Sequence, residues 1–245
     1  MEQFWSFFSF PLNLILAAIW IVGWWMLWRN HSDNVAVRFL LSPAATISAI
    51  CLLVGSGLWI GFTGDREFTH SAFFAAVLLY VQTVVFLIIL RGWKRPVGVI
   101  RWRFLLIHTG FLLALGAGFW GSPDSSELRV MLGRGETVRE AYRLDGSIGI
   151  LPYELMLKDF EMKSGPDGKP VHYEARVSVD DGIPVNIRVN SPYNVKFGED
   201  IYLASVSESG CIFQIVREPW RYFAIVGILM LIAGAFMLFL KGPRR

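Results

Sequence analysis

One of the chain's four histidines stands where an ionisable side chain is costly. His108 lies inside the apolar run RFLLIHTGFLLALGAGFWG, one or two turns beyond Arg103, which is about 7–8 Å along a helix. A titratable group at that depth in a membrane costs a few kcal/mol unless it is partnered, so it is a candidate functional residue by default. Imidazole is a good ligand for haem iron, and neither an acid nor a thiol lies near it in sequence to suggest a harder or softer metal. Phe104 and Phe111, one turn to either side, would offer apolar faces to a porphyrin. Gly110, Gly116 and Gly118 would let another helix or a planar ligand approach closely.

These residues leave two readings open. His108 is either the axial ligand of a haem b or a neutral imidazole hydrogen-bonded to a neighbouring helix, and the glycines serve equally as a packing face. His70 stands at the outer mouth of an apolar segment and is a second candidate. His31, in a polar link, and His172, on an alternating segment, read as ordinary surface residues. Cys51, mid-way along an apolar run, and Cys211, in a polar region, are too differently placed to be expected to pair, and each reads as a buried structural thiol. The chain has no CxxCH for covalent haem and no CxxC for thiol exchange.

The elements that must position His108 are membrane spans. Of 245 residues, 54% are hydrophobic and 18% are charged, against about a quarter charged in a soluble domain. Apolar runs at Phe4–Trp28, Ala44–Phe62, Ala72–Leu90, Phe104–Trp120 and Tyr222–Leu240 are each long enough to cross about 30 Å of hydrocarbon. Trp24, Trp25, Trp28, Trp59, Trp93, Trp102, Trp120 and Trp220 cluster near their ends, as an interfacial aromatic belt does. The first run lacks a basic leader and a small-residue cleavage site, so it reads as a retained span.

Basic residues set the expected direction. Arg91, Lys94, Arg95, Arg101 and Arg103 crowd one link, Arg29 and Arg38 another, and Lys241, Arg244 and Arg245 follow the last span. The positive-inside rule then puts the amino terminus out, the carboxy terminus in, and the polar region between the last two spans outside the cytoplasm. The net charge of +3 reports this topology and gives no sign of nucleic-acid binding. The expected organisation is a four-span membrane region over residues 1–121, an extracytoplasmic β-rich domain over 122–219, and a final span with a cytoplasmic tail over 220–245.

In the polar region the period changes to two. Tyr153–Met162 and Val171–Asp180 alternate around Gly165-Pro166-Asp167-Gly168, a hairpin signal, and Pro184–Val189, Asp200–Val206 and Cys211–Val216 are further strand candidates. The expectation is an all-β sandwich or open barrel. Ser191-Pro192-Tyr193-Asn194 should turn the Ile187–Asn190 strand back beside Asp200–Val206, with Tyr202 packed inward and Pro192 at a strand end. An edge there would suit capture of an extended segment by strand addition.

Three segments, in order, resemble the ResB family of cytochrome c biogenesis proteins, also called Ccs1 or CcsB. They are Phe104-Leu105-Leu106-Ile107-His108-Thr109-Gly110 running into Gly118-Phe119-Trp120-Gly121; Ile187-Arg188-Val189-Asn190-Ser191-Pro192 with Gly198 and Tyr202; and Gln214-Ile215-Val216-Arg217-Glu218-Pro219-Trp220 ahead of the last span with Gly227 and Gly234. The resemblance covers roughly Arg101 to Gly242 and implies a subunit of a cytochrome c synthase in a bacterial cytoplasmic membrane. It implies a partner of the CcsA or ResC type with a tryptophan-rich haem-handling signature, and apocytochrome c as the acceptor. It maps the family's intramembrane haem ligand onto His108, with haem b shared with the partner, which would supply the second axial His. The chain would then be an accessory subunit and not a catalyst alone.

The layout departs from the family's in having four spans before the outer domain where three are usual, and in the shortness of that domain. Two other classes compete with a haem-delivery subunit. One is a haem b-binding or quinone-facing anchor of a respiratory complex, which would need a second intramembrane His within the chain. The other is a non-catalytic assembly scaffold.

Overall fold

The computed structural model describes residues 8–65, 67–94, 98–164, 170–207 and 209–240. The Gly165–Gly168 turn, Arg95 and the basic tail Lys241, Arg244 and Arg245 lie outside the described residues. The chain forms two compact units, one of Met1–Pro123 with Trp220–Arg245 and one of Asp124–Pro219.

The first unit is helical. Five helices are long and apolar enough to cross a membrane: α1 (Leu12–Asn30), α3 (Pro43–Thr63), α4 (Ala72–Trp93), α5 (Val99–Gly121) and α6 (Arg221–Leu240). A short α2 (Val35–Leu40) precedes α3. Local chemistry sets the boundaries. Pro11 stands at the N-cap of α1, so that helix begins later than the apolar run does. Ser42 caps α3 by accepting from the Ala45 N–H, with Pro43 in the first turn, and Ser71 caps α4 by accepting from the Phe74 N–H. Gly64 closes α3 in the left-handed region at φ 66°.

α4 is the interior helix of this unit. Its Val77, Val81, Val84 and Leu87 are buried with Ala45 and Ala49 of α3, and Phe111 and Leu115 of α5 pack on the same cluster. The polar groups beside that cluster are satisfied within the bundle. Trp20 Nε1 donates to Thr83 Oγ1 at 3.2 Å, Trp120 Nε1 to Gln82 Oε1 at 3.0 Å, and Asn13 Nδ2 to the Trp120 carbonyl at 2.9 Å. Thr83 and Gln82 in turn donate to the Leu79 and Leu78 carbonyls. In hydrocarbon an unpaired group of this kind costs several kcal/mol, so these bonds also fix helix rotation. Trp120 thus differs from the belt expected of it: it is half-buried and bonded to a neighbouring helix, whereas Trp59, Trp93 and Trp102 are exposed.

α5 and α6 meet backbone to backbone. A Cβ on Gly110 would lie 2.6 Å from the Gly227 carbonyl oxygen, one on Gly227 2.7 Å from Ala114 N, and one on Gly234 2.6 Å from Ile107 Cγ1. Gly121 likewise receives the Trp220 ring. Small residues at such points let dispersion contacts accumulate where lipid supplies no hydrophobic drive.

The second unit is an eight-stranded antiparallel sheet. Its strands are β1 (Ser126–Leu132), β2 (Thr137–Arg143), β3 (Ile148–Ser164), β4 (Pro170–Val179), β5 (Val185–Arg188), β6 (Tyr193–Lys196), β7 (Glu199–Ser207) and β8 (Gly210–Arg217), in spatial order β5-β4-β3-β2-β1-β8-β7-β6. Inward residues Val130, Leu132, Leu155, Leu157, Val177, Ile187, Ile201 and Phe213 form the core. An isolated bridge between Arg188 and Ser191 carries the chain from one edge strand to the other, with Asn190 at φ 61°. The sheet is open, nearer to the expected barrel than to a sandwich. Asp180 and Asp181, at φ 48° and 54°, make the β4–β5 turn with Gly182 N–H donating to the Val179 carbonyl, the mirror-image turn that suits hairpin twist.

Three sequence expectations change. β5 pairs with β4 and does not lie in the ladder beside β7; that place belongs to β6. Tyr202 is half-buried on the outer face because Ile201 and Leu203 take the inward positions, and a strand's faces alternate strictly. Cys51 is exposed on α3, while Cys211 is buried in the sheet core, where burial pushes its thiol up to about 11. The β3–β4 hairpin is present, with Leu155 opposite Val179 and Met162 opposite Tyr173.

Near its end the sheet holds a buried polar cluster. Tyr153 donates to Glu199 Oε1 at 2.8 Å, Lys196 Nζ lies 3.2 Å from Glu199 Oε2, and Asn194 Nδ2 donates to Asp200 Oδ1 at 2.8 Å. Burial and the adjoining carboxylate hold the Tyr153 phenol far above its ordinary range, so it remains a donor. Gly198, at φ 73°, lets the exit segment pass: a Cβ there would lie 2.5 Å from Pro219 Cα, and the Glu218 N–H donates to the Gly198 carbonyl at 2.6 Å.

Candidate functional site

His108 sits in the first half of α5 and is half-buried. Its Nδ1 is 2.8 Å from the Phe104 carbonyl oxygen, one helical turn back. A carbonyl can only accept, so Nδ1 carries a proton, and in the neutral ring the lone pair then lies on Nε2. Metal-ligating histidines are usually held this way, with the remote nitrogen donating to a backbone oxygen so that tautomer and ring orientation are fixed. The Phe104 ring lies on the imidazole, centroids 4.0 Å apart and planes 30° from parallel. Phe104 is itself seated against Gly92 near the end of α4. Phe111 faces the α3–α4 cluster with Leu115.

This end of the bundle is basic. Arg101 lies over the Trp93 ring at 5.2 Å, Lys94 over Trp28 at 4.4 Å and Arg29 over Trp25 at 5.3 Å, and Arg91 Nη1 donates to the Leu41 carbonyl at 3.1 Å. Cations laid on aromatic faces keep their charge while the rings meet lipid. His108 lies on the helix that begins at this basic end, its imidazole oriented by the Phe104 carbonyl and one face covered by the Phe104 ring. The donor set suits a haem iron, which takes a neutral imidazole nitrogen as axial ligand.

His70 belongs elsewhere. It closes the 3-10 turn Glu67–His70 ahead of α4, whereas Phe104 meets α4 at Gly92, so the two histidines stand at opposite ends of that helix, about 30 Å apart by its length. His70 lines a cavity of about 490 Å³ with Thr69, Phe74, Leu78, Trp20 and Asn13. Sequence reading missed this cavity and the polar network beneath it. The signal was Asn13, Gln82 and Thr83, three amide or hydroxyl side chains inside apolar runs. His31 is the C-cap of α1 and His172 is in β4. Among the described residues no three His, Cys, Asp or Glu side chains come together to hold a metal ion.

Five membrane-length helices carry an antiparallel open sheet between the last two, and the helix that leads into the sheet holds an imidazole bonded to its own backbone, which defines a class of membrane-tethered β-domain proteins. The ResB-like family model matches residues 98–212, from the start of α5 into β8, so this segment is similar to the ResB-like family. No curated protein matches the chain. Among solved structures it is similar to the cytochrome c heme lyase CcmF, with a TM-score of 0.46 and 14% identity over 95% of this chain and 46% of that one. The chain thus spans about half the length of that protein.

Proposed function

We propose that the chain is the ResB-like subunit of a cytochrome c synthase, in which it holds haem b at His108 on the way to apocytochrome c. The observation that carries this is the Nδ1–H bond to the Phe104 carbonyl, which in the neutral ring leaves the lone pair on Nε2, in a helix long and apolar enough to span a membrane. Haem is cargo here, and the second axial ligand would come from a tryptophan-rich CcsA- or ResC-type partner. Phe104 covers one side of the imidazole, and Arg101 and Arg103 supply charge opposite to that of haem propionates. Co-expression with such a partner, followed by absorption spectroscopy of the purified complex, tests the reading. A Soret band from haem extractable by acidified acetone is expected. A complex that assembles and carries no haem would sink it.

The orientation follows from charge. The rim of Arg29, Arg91, Lys94 and Arg101 would face the cytoplasm, with the β-domain on the other side. A reporter fused after Arg245 should read as cytoplasmic and one inserted at Asp167 as external. A cytoplasmic signal from Asp167 would reverse the assignment.

A further inference from the structure

We infer that one end of the β-domain is a lipid-binding surface, which rests its apolar loops in the headgroup layer of the adjoining leaflet. The inference does not depend on haem, and it begins with strand register. Ser126 pairs with Arg217, and Glu199 pairs with Arg217 from the other side, so the first residue of β1, the last of β8 and the first of β7 lie level. Leu128 pairs with Arg143, and Tyr142 with Ile148, which brings the β2–β3 turn to the same end. The chain enters and leaves the sheet there.

Chain length then fixes what that end is near. α5 ends at Gly121 and β1 begins at Ser126; β8 ends at Arg217 and α6 begins at Arg221. Fully extended, those links reach no more than about 14–17 Å. Both links start from helices long and apolar enough to span a membrane. No conformation of the linkers takes this end of the sheet far from the bilayer surface.

The side chains there suit an interface. In the β2–β3 hairpin, Tyr142, Leu144, Ile148 and Ile150 are 50%, 62%, 58% and 78% exposed, and Tyr142 and Ile148 are direct cross-strand partners. Phe197, in the β6–β7 turn at the same end, is 69% exposed. A contiguous apolar hairpin is not left in water without a reason. A protein partner would also cover it, but the short covalent tethers keep this end within reach of lipid whether or not a partner is bound. Tyr, Phe and Leu are residues that settle at the boundary between headgroups and acyl chains. Arg143, which donates to Ser147 Oγ and the Ile148 carbonyl, stands beside them as a cation for lipid phosphates. Asp145 at the turn limits the depth. Hydrogen bonds from Ser147 keep its carboxyl below the usual range, so it stays charged and holds the tip at headgroup level.

Site-directed spin labelling separates the outcomes. Cys51→Ser removes the exposed thiol, and Cys211 is buried, so Leu144→Cys, Phe197→Cys or Met131→Cys each offers a single labelling site. Met131 is also exposed but lies at the opposite end of β1, where Leu132 pairs with Cys211. Absence of label on Cys211 shows in each variant that the sheet is folded. With the full chain in phosphatidylethanolamine–phosphatidylglycerol vesicles, labels at 144 and 197 should collide several-fold less with a water-soluble nickel chelate than the label at 131. They should also collide more with dissolved oxygen, which concentrates in lipid. Equal nickel access at all three sites would overturn the inference. So would labels at 144 and 197 shielded from both reagents, which is the signature of a covering protein.

Discussion

Replacing His108 with alanine is expected to cost the purified complex at least about 10-fold in haem retention and to lower holocytochrome yield in step. Removing even a supporting partner of a metal-bound imidazole commonly costs 10–100-fold in affinity, and here the proposed ligand itself goes. The helix should survive. Alanine is the best helix former, and the lost hydrogen bond was to a carbonyl of the same helix. Because the variant would remove the proposed imidazole ligand and leave its space beside Phe104, added imidazole should restore part of the haem. His31→Ala and His172→Ala should change neither readout, since His31 follows the end of α1 and His172 lies in β4, both outside the apolar helices. Full haem and full maturation in His108→Ala would remove the residue from the mechanism.

The second large effect is expected at Gly227. Leucine there would press into the Gly110 carbonyl oxygen, 2.6 Å from the first added atom, and into the backbone of Ala114. Neither is the flexible tip of a side chain, so α5 and α6 must move apart. Overpacking of this kind costs about 1–3 kcal/mol or more, and separation of the two helices would also forfeit the Gly234–Ile107 contact. A clearly lower unfolding temperature in detergent and a reduced protein level should follow. Gly55→Leu, on α3 with no atom within 4 Å of its added Cβ, is the comparison. If both variants melt alike, the α5–α6 contact is not as tight as described.

The membrane helices were legible in the sequence because lipid tolerates only long apolar segments with internal hydrogen bonds, and no tertiary detail overrides that demand. The start of α1 was misplaced because hydropathy does not register Pro11, which sets where the helix begins. The long strands β3, β4, β7 and β8 announced themselves through alternation. β1, SELRVML, follows closely on a membrane span, and β2, TVREAYR, carries charge on its exposed face, so neither stood out. β6 has four residues, too few for any period to show. Tyr202 does not take the inward position expected of it, because parity along β7 gives the core to its neighbours Ile201 and Leu203.

The candidate site divides in the same way. That His108 was exceptional could be read from the apolar residues around it. Its tautomer could not, because that depends on a side-chain rotamer bringing Nδ1 to the Phe104 oxygen. Phe104 and Phe111 were chosen as a symmetric pair, yet one lies on the imidazole and the other on the α3–α4 cluster. Helical spacing gives direction around an axis but not which neighbour waits there.

The strand order has a consequence for how the protein is made. β1 and β8, the first and last strands, are neighbours in the middle of the sheet, paired from Ser126–Arg217 through Leu132–Cys211. The hairpins β1–β2–β3–β4–β5 can form as each strand emerges, since their contacts are local. The seam between β1 and β8 joins the ends of the domain, and pairings so distant along the chain are slow to form. Until β8 has emerged, β1 is an unprotected sheet edge, open to pairing with any extended chain nearby. Folding of the sheet therefore completes only as synthesis reaches the last span. Insertion of α6 and closure of the seam become neighbouring events in time, which leaves a half-made sheet exposed for the whole interval between the two tethers.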